Sequence, residues 1–566
     1  MKNNVRYTLN LIAVMFLFLV ISDAYAQLSA TELDRIFASD AAQGDSYGFA
    51  VDVDGDRAVI GARLDDDDGN GSGAAYVYLR NPQTGLWEEE AKLVMASAAA
   101  GDNFGSSVAI DGDVVVVGAP QDDINVGSNF HGSAHVFTRD PGGWDAGVEL
   151  LPLDTDTAYQ NYGISVDIDN DTIVVGVAYD NDKGAASGSA YVFELVSETW
   201  QRTGKLLPPN TEANQNFGWS VAIDMDTIVI GAPHWTASGV GSAYVFTRAN
   251  GWTDSSSTLP ATDNLTSDEF GWSVAVSGDI AVIGARMDDD AGNGADFGSI
   301  TVFDRSSGGW SNKGKLWASN GETNDRFGSD VATNGEAVIA GAPQNGSFNR
   351  GSFYSFSSSG GDWFESEVIE PIKNPGNVST ILQFGTSVAL DGGSLIVGAP
   401  GSDINNGSTF VFLTGAAFVY GLNATSIPTA DGNNDLTIQS PTGTFLSNVS
   451  AIEADTLGAP PQDVSFPLGA LGFNVNGLTP GAAIEVEIEF PEEVSVSSYY
   501  KFSDHWYKFL DDGSTGAIVT PGKVTLKLVD GGRGDHDGTA NGVIVDPGAI
   551  AAITMSETLF EDGFED

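Results

Sequence analysis

Oxygen-bearing side chains crowd several loops of this 566-residue chain. Carboxylates at short alternating spacing, with glycines that let the backbone turn, are the donors a hard divalent cation takes, so the chemistry they suggest is calcium binding. One such set is Asp530, Asp535, Asp537 and Asn541, in a Gly-rich stretch running from Asp530 to Gly542. Others are Asp65, Asp67 and Asn70 in one loop and Asp288, Asp290 and Asn293 in another, with smaller groups at Asp122 and Asp123 and at Asp180 and Asp182. None follows the Asp-x-Asp-x-Asp-Gly frame with a distal Glu that marks an EF-hand loop. The alternative is that the aspartates cap backbone amides in polar turns, or are simply solvated. The runs Asp52, Asp54, Asp56 and Asp167, Asp169, Asp171 rank below these, because each straddles a tight hairpin.

Catalytic types are sparse. There is no Cys, which excludes thiol chemistry, and the imidazoles are His131, His135, His234, His505 and His536, with no Gly-x-Ser-x-Gly or His-Glu-x-x-His segment. No catalytic residue is assigned. Carboxylate pairs are too numerous to single one out, so residue type leaves a glycosidase or lyase open. Arg533-Gly534-Asp535 is read as coincidence inside a loop already explained by its Gly-Asp pattern. Six tryptophans (Trp87, Trp144, Trp200, Trp252, Trp310, Trp363) recur at equivalent places and read as packing.

The elements that must position these loops are repetitive. An aromatic-Gly pair occurs at Tyr47-Gly48, Phe104-Gly105, Tyr162-Gly163, Phe217-Gly218, Phe270-Gly271, Phe327-Gly328 and Phe384-Gly385. Thirteen residues after each of these glycines stands a second: Gly61, Gly118, Gly176, Gly231, Gly284, Gly341 and Gly398. Between the two glycines, two β-rich runs flank a tight turn, as in Ser106–Ile110, Asp111-Gly112-Asp113 and Val114–Val117. A third strand follows a loop of variable length (Gly188-Ser-Ala-Tyr-Val-Phe193), and a Trp-marked fourth includes Lys92-Leu, Lys205-Leu or Lys315-Leu. Four strands per unit predict a propeller blade. Arg35–Ser39 sits in fourth-strand register and is expected to complete the seventh blade and close the ring, which removes sheet edges.

The Phe-Gly and Gly-Ala-Pro signals at constant offset resemble the FG-GAP repeats of integrin α-subunits and, more closely, bacterial exported FG-GAP proteins, over residues 33 to 421. The resemblance implies an all-β fold with a seven-bladed β-propeller (residues 27–421). The integrin-type calcium loop between the two motifs does not fit the short offset, so calcium is not carried over to those turns.

Residues 422–430 read as a linker. Alternating stretches such as Ile484–Phe490 and Val524–Val529 then predict a small antiparallel β-sandwich-like domain over 431–550, followed by an acidic tail, 551–566. Tyr499–Lys508 and the Asp530–Gly548 region resemble choice-of-anchor domains of bacterial surface proteins. The closing residues Leu559–Asp566 carry neither a hydrophobic helix nor a basic stop, which argues against anchoring by that route.

Lys+Arg 24 against Asp+Glu 77 makes the net charge −53, which repels phosphate and anionic lipid, so nucleic acid is not expected as a partner. Residues 1–26 have the pattern of a secretory signal: Lys2 and Arg6, an apolar run from Leu9 to Ile21, then Ala24-Tyr25-Ala26. No stretch is long enough to span a bilayer. The sequence therefore predicts an exported binding or adhesion protein of the cell surface with a protein or glycan ligand. The rivals are a secreted polysaccharide-acting enzyme and a calcium-dependent structural surface protein.

Overall fold

The second run of each repeat is a nearly unbroken series of Val, Ile and Ala, a pattern that requires burial on both faces. In the computed structural model these runs are inner strands: Arg57–Ala62, Val114–Ala119, Thr172–Val177, Thr227–Ala232, Ile280–Ala285, Ala337–Ala342 and Ser394–Ala399. The structure describes residues 30–553 except for short stretches, the longest being 372–381, 453–463 and 531–543. The leader expected at 1–26 and residues 554–566 lie outside the described residues.

Seven antiparallel sheets follow, one per repeat, the first six with strands in chain order. In the first, Tyr47–Asp54 pairs with Arg57–Ala62, which pairs with Ala74–Arg80, which pairs with Trp87–Leu93. The second sheet has its outer strand broken into Gly143–Trp144 and Val148–Glu149. The turn between first and second strands needs positive φ, supplied by Gly55, Gly112, Gly278 and Gly392, while Asn170 and Met225 adopt it at φ 51 and 50. In the seventh sheet the outer strand is Ala30–Ile36, antiparallel to Ala416–Leu422 with Arg35 opposite Phe418.

The constant offset has a steric origin. A β-carbon on the second glycine of a repeat would overlap the carbonyl oxygen of the aromatic-Gly glycine in the next: Gly61 against Gly105, Gly118 against Gly163, and so on to Gly398 against Gly48. Ser107, Ser165, Ser220 and Ser273 Oγ each donate to that same carbonyl at 2.9 to 3.0 Å. At the turns, the amides of Gly112, Met225, Gly278 and Gly55 donate to Asp54, Asp169, Asp224 and Asp391 of the preceding sheet, at 2.6 to 2.9 Å. Several acids of the hairpin turns are thus latches between sheets. The seven aromatic-Gly rings are at most 3% exposed, and one buried cluster joins Tyr47, Ile60 and Tyr76 to Ile396, Ala417 and Val419.

Residues 424–553 form two further antiparallel sheets, of five and six strands. Ile438, Val486, Val524 and Leu526 from one and Leu446, Phe473, Tyr499 and Ile544 from the other share a single buried cluster. The strand Lys523–Val529 alternates as its sequence pattern predicts. The expected linker is corrected: Ala424–Pro428 is a strand paired with Asp435–Gln439. Its β-branched Thr425 and Ile427 favour extended backbone.

Candidate functional site

The loop after the second glycine starts with an acid at a fixed place, four residues on: Asp65, Asp122, Asp180 and Asp288 in repeats 1, 2, 3 and 5. Asp65 is buried, and Asp40 and Asp67 bring carboxylate oxygens within 4.8 Å of it and of each other. That group is met by Lys92 of the fourth strand, whose Nζ lies 2.7 Å from Asp40, 3.0 Å from Asp65 and 2.7 Å from Asp67. Tyr76 Oη donates to Asp40 and Asp65 at 2.7 and 2.8 Å. Burial alone would lower the Lys92 ammonium, yet its bonds to the three carboxylates hold it above its ordinary value. Repeat 3 repeats the arrangement, with Lys205 Nζ at 2.8 Å from Asp180 and 2.7 Å from Asp182. In repeat 5, Lys315 pairs with Asp288, to which Ser299 also donates.

The acids proposed as cation ligands in these loops are therefore placed on an internal ammonium. Asn70 is exposed and apart from the Lys92 contacts, while Asp290 and Asn293 lie outside the described residues. In the C-terminal set, Asp530 is buried and its amide donates to Ala482; Asp535, Asp537 and Asn541 lie outside the described residues. His135 packs edge-on to Phe104, and burial lowers its pKa to about 4, as a packing residue in a tyrosine's place would show. Of the six repeat tryptophans, Trp87, Trp252 and Trp363 are buried and Trp144, Trp200 and Trp310 partly so.

A second region was not singled out from the sequence. The first strands of all seven repeats face a common cavity of about 560 Å³. Asp52 and Asp167 lie further along it and Asp330 nearer the aromatic-Gly end, and the three accept from the backbone amides of Ile110, Ile223 and Val388 in the following repeats at 2.7 to 2.8 Å. Burial pushes Asp52 far up, Asp167 to about 7 and Asp330 to about 6. At the aromatic-Gly end the lining includes Phe49, Trp219 and Trp272, each the residue after an aromatic-Gly pair. Trp219 and Trp272 lie 4.7 Å apart between centroids. Arg286 stacks 3.0 Å from the Trp272 centroid and Arg63 lies 3.7 Å from that of Phe49, both within cation–π range. The signal for this region is the one variable position beside an invariant pair.

Loop length also varies while the strand offset does not: the second glycine precedes the glycine of the third strand by 10 residues in repeats 4 and 6 (Gly231 to Gly241, Gly341 to Gly351) and by 17 in repeat 7 (Gly398 to Gly415). Among the described residues no helix is long and apolar enough to cross a membrane.

A search of curated proteins returns no match. A family model described as FG-GAP repeat matches residues 30–78, 87–137, 144–193, 200–246, 252–303, 310–356 and 377–412. Its units begin at the outer strand, and the first begins at residue 30, on the strand that pairs with Ala416–Leu422. Seven matches and seven four-stranded sheets, over more than half its length, place the chain in the FG-GAP repeat family.

Proposed function

We propose that this chain is an exported, surface-associated binding or adhesion protein whose seven sheets close as the blades of a propeller and present loops to a protein or glycan ligand. FG-GAP repeats point to a surface or binding protein of integrin-like type. The observation that carries the reading is the contrast between a sterically fixed frame and freely varying loops. The offset between the interlocking glycines is the same in all seven repeats, while the loops that follow run from 10 to 17 residues between glycines. Binding residues concentrate on such loops over a rigid scaffold. Ring closure is supported by the pairing of Ala30–Ile36 with Ala416–Leu422 and by the Gly398–Gly48 contact.

The polysaccharide-acting alternative needs free carboxylates converging in one pocket, about 5 to 10 Å apart. The Asp40, Asp65 and Asp67 group is instead occupied by the Lys92 ammonium, and the cavity carboxyls of Asp52, Asp167 and Asp330 accept from backbone amides, which favours binding over hydrolysis. Calcium belongs, on this reading, to the C-terminal Asp530 loop rather than the lysine-filled repeat loops. The test is a glycan and surface-protein array probed with the chain lacking residues 1–26. The expected result is saturable binding that disappears, with unchanged melting, when the 17-residue spacing of repeat 7 is shortened to that of repeat 4. No binding to any probe would sink the proposal.

A further inference from the structure

The lining of the common cavity sets two arginines, Arg286 and Arg326, beside Asp52, Asp167 and Asp330 in a chain whose net charge is −53. Arg57, Arg139, Arg248 and Arg305 each meet carboxylates. Arg326, which lines the cavity, has no carboxylate within ion-pair distance among the described residues. Its Nη1 donates at 3.1 Å to the Gln344 amide oxygen, in the orientation that satisfies both atoms of that amide. The neighbouring Arg286 is paired with Glu269 at 2.7 Å, and Asp296 also acts on it. Arg63, behind Phe49, has a buried Nε without a partner among the described residues. Of the two guanidiniums in the lining, Arg286 is matched by a carboxylate and Arg326 is not, among the described residues.

Beside this charge lies apolar surface of a particular shape. The Trp219 and Trp272 rings, tilted by 46° at 4.7 Å, are partly exposed at the mouth, with the Arg286 guanidinium over the Trp272 ring. An indole offers a flat apolar face to the C–H side of a pyranose, and a guanidinium offers a fork matched to a carboxylate. Gln383 and Thr386, also in the lining, can hydrogen-bond hydroxyls. The volume, about 560 Å³, falls in the range of small-ligand sites. The net charge opposes a long polyanion.

From these features we infer that the mouth of the cavity binds a short sugar acid, with its pyranose ring on Trp219 and Trp272 and its carboxylate on Arg326. The inference rests on the binding reading above and names the ligand class for one place on the ring. The probes are a galacturonic acid trisaccharide and a galactose trisaccharide, titrated into the chain lacking residues 1–26 and followed by tryptophan fluorescence and calorimetry. The acidic trisaccharide should bind saturably and the neutral one at least about tenfold more weakly, a difference of about 1.4 kcal/mol. Arg326→Gln should abolish that preference, and Trp219→Leu should weaken both sugars, with melting temperatures within a few degrees of the parent. If Trp219→Leu does not fold, Arg326→Gln alone decides, since its side chain is only half-buried. Equal affinity for the two sugars, no binding of the acidic one, or an acid preference that survives Arg326→Gln overturns the inference. Ligand capture on the arrays that is indifferent to Arg326→Gln would defeat this site while leaving the broader binding role standing.

Discussion

Gly398 stands so close to the carbonyl oxygen of Gly48 that no β-carbon fits between them. The two residues belong to the last and first repeats, and the same relation recurs at each of the other six junctions. Gly398→Ala should therefore push the seventh sheet from the first, at a cost of about 3 kcal/mol or more, in the upper range for overpacking. Gly55→Ala, at φ 54 but with open space around it, should cost only about 1 kcal/mol. Urea denaturation of the two variants measures the difference, and equal losses would remove the steric explanation of the repeat offset.

Lys92→Met strands the buried Asp65 with Asp40 and Asp67 beside it. Removing one partner of a buried ion pair costs about 3 to 5 kcal/mol. The variant should also show a larger rise in melting temperature than the parent on adding millimolar calcium, because three converging carboxylates are then left without the ammonium. Thermal melts with calcium and with a chelator check both parts. A variant as stable as the parent would show that the lysine is dispensable.

Acidification should stabilise the repeats. Burial raises Asp167 to about 7 and Asp330 to about 6, above the unfolded value near 3.8, and Asp45 and Asp102 are also raised to about 6 by burial. A raised carboxyl pKa adds stability that is complete below the unfolded value and is lost as pH climbs through the folded one. Each such group therefore contributes about 1.4 kcal/mol per pH unit between roughly pH 4 and 6 to 7. Relief of the overall negative charge acts in the same direction, so the separating measurement is Asp167→Asn. It should be more stable than the parent at pH 8 and lose that advantage by pH 4. A pH-independent difference between the two chains would contradict the burial assignment.

Deleting Ala30–Ile36 uncovers the hydrogen-bonding edge of Ala416–Leu422. Open edges pair with whatever strand is at hand. The truncated chain should melt lower and associate, detected by light scattering as species larger than those of the parent. A monomeric truncation of unchanged stability would mean that the strand contributes little to the seventh sheet.

The sheets were legible because their defining contacts use residue types with no substitute. Only glycine fits at Gly61 against Gly105, so the pattern repeats without drift and announces itself. The lysine pairing was also legible, though not read: an Asp four residues after the second glycine occurs together with the fourth-strand Lys in repeats 1, 3 and 5, and repeats 4, 6 and 7 have neither. Repeat 2 keeps Asp122 but places Glu149 opposite His135, and burial followed by the nearby Asp122 raises that glutamate. The cavity mouth was not legible. It gathers the residue after each aromatic-Gly pair, among them Phe49, Trp219, Trp272 and Thr386, which are not of one type and lie more than 50 positions apart. Each aromatic-Gly pair marks the position beside it, but nothing local says that seven such residues line one cavity.

The pairing of Arg35 with Phe418 also dictates a timetable. A ribosome delivers the N-terminal strand first, yet its hydrogen-bonding partner is made almost four hundred residues later. At the usual 5 to 20 residues per second, the early strand waits on the order of half a minute with its polar backbone open to water and to chaperones. The final sheet is then stitched from the two ends of the repeat region, a long-range loop closure of the kind that slows folding. A chain cut anywhere before residue 416 has no way to take that step, so the last sheet serves as a check that the whole array has been made.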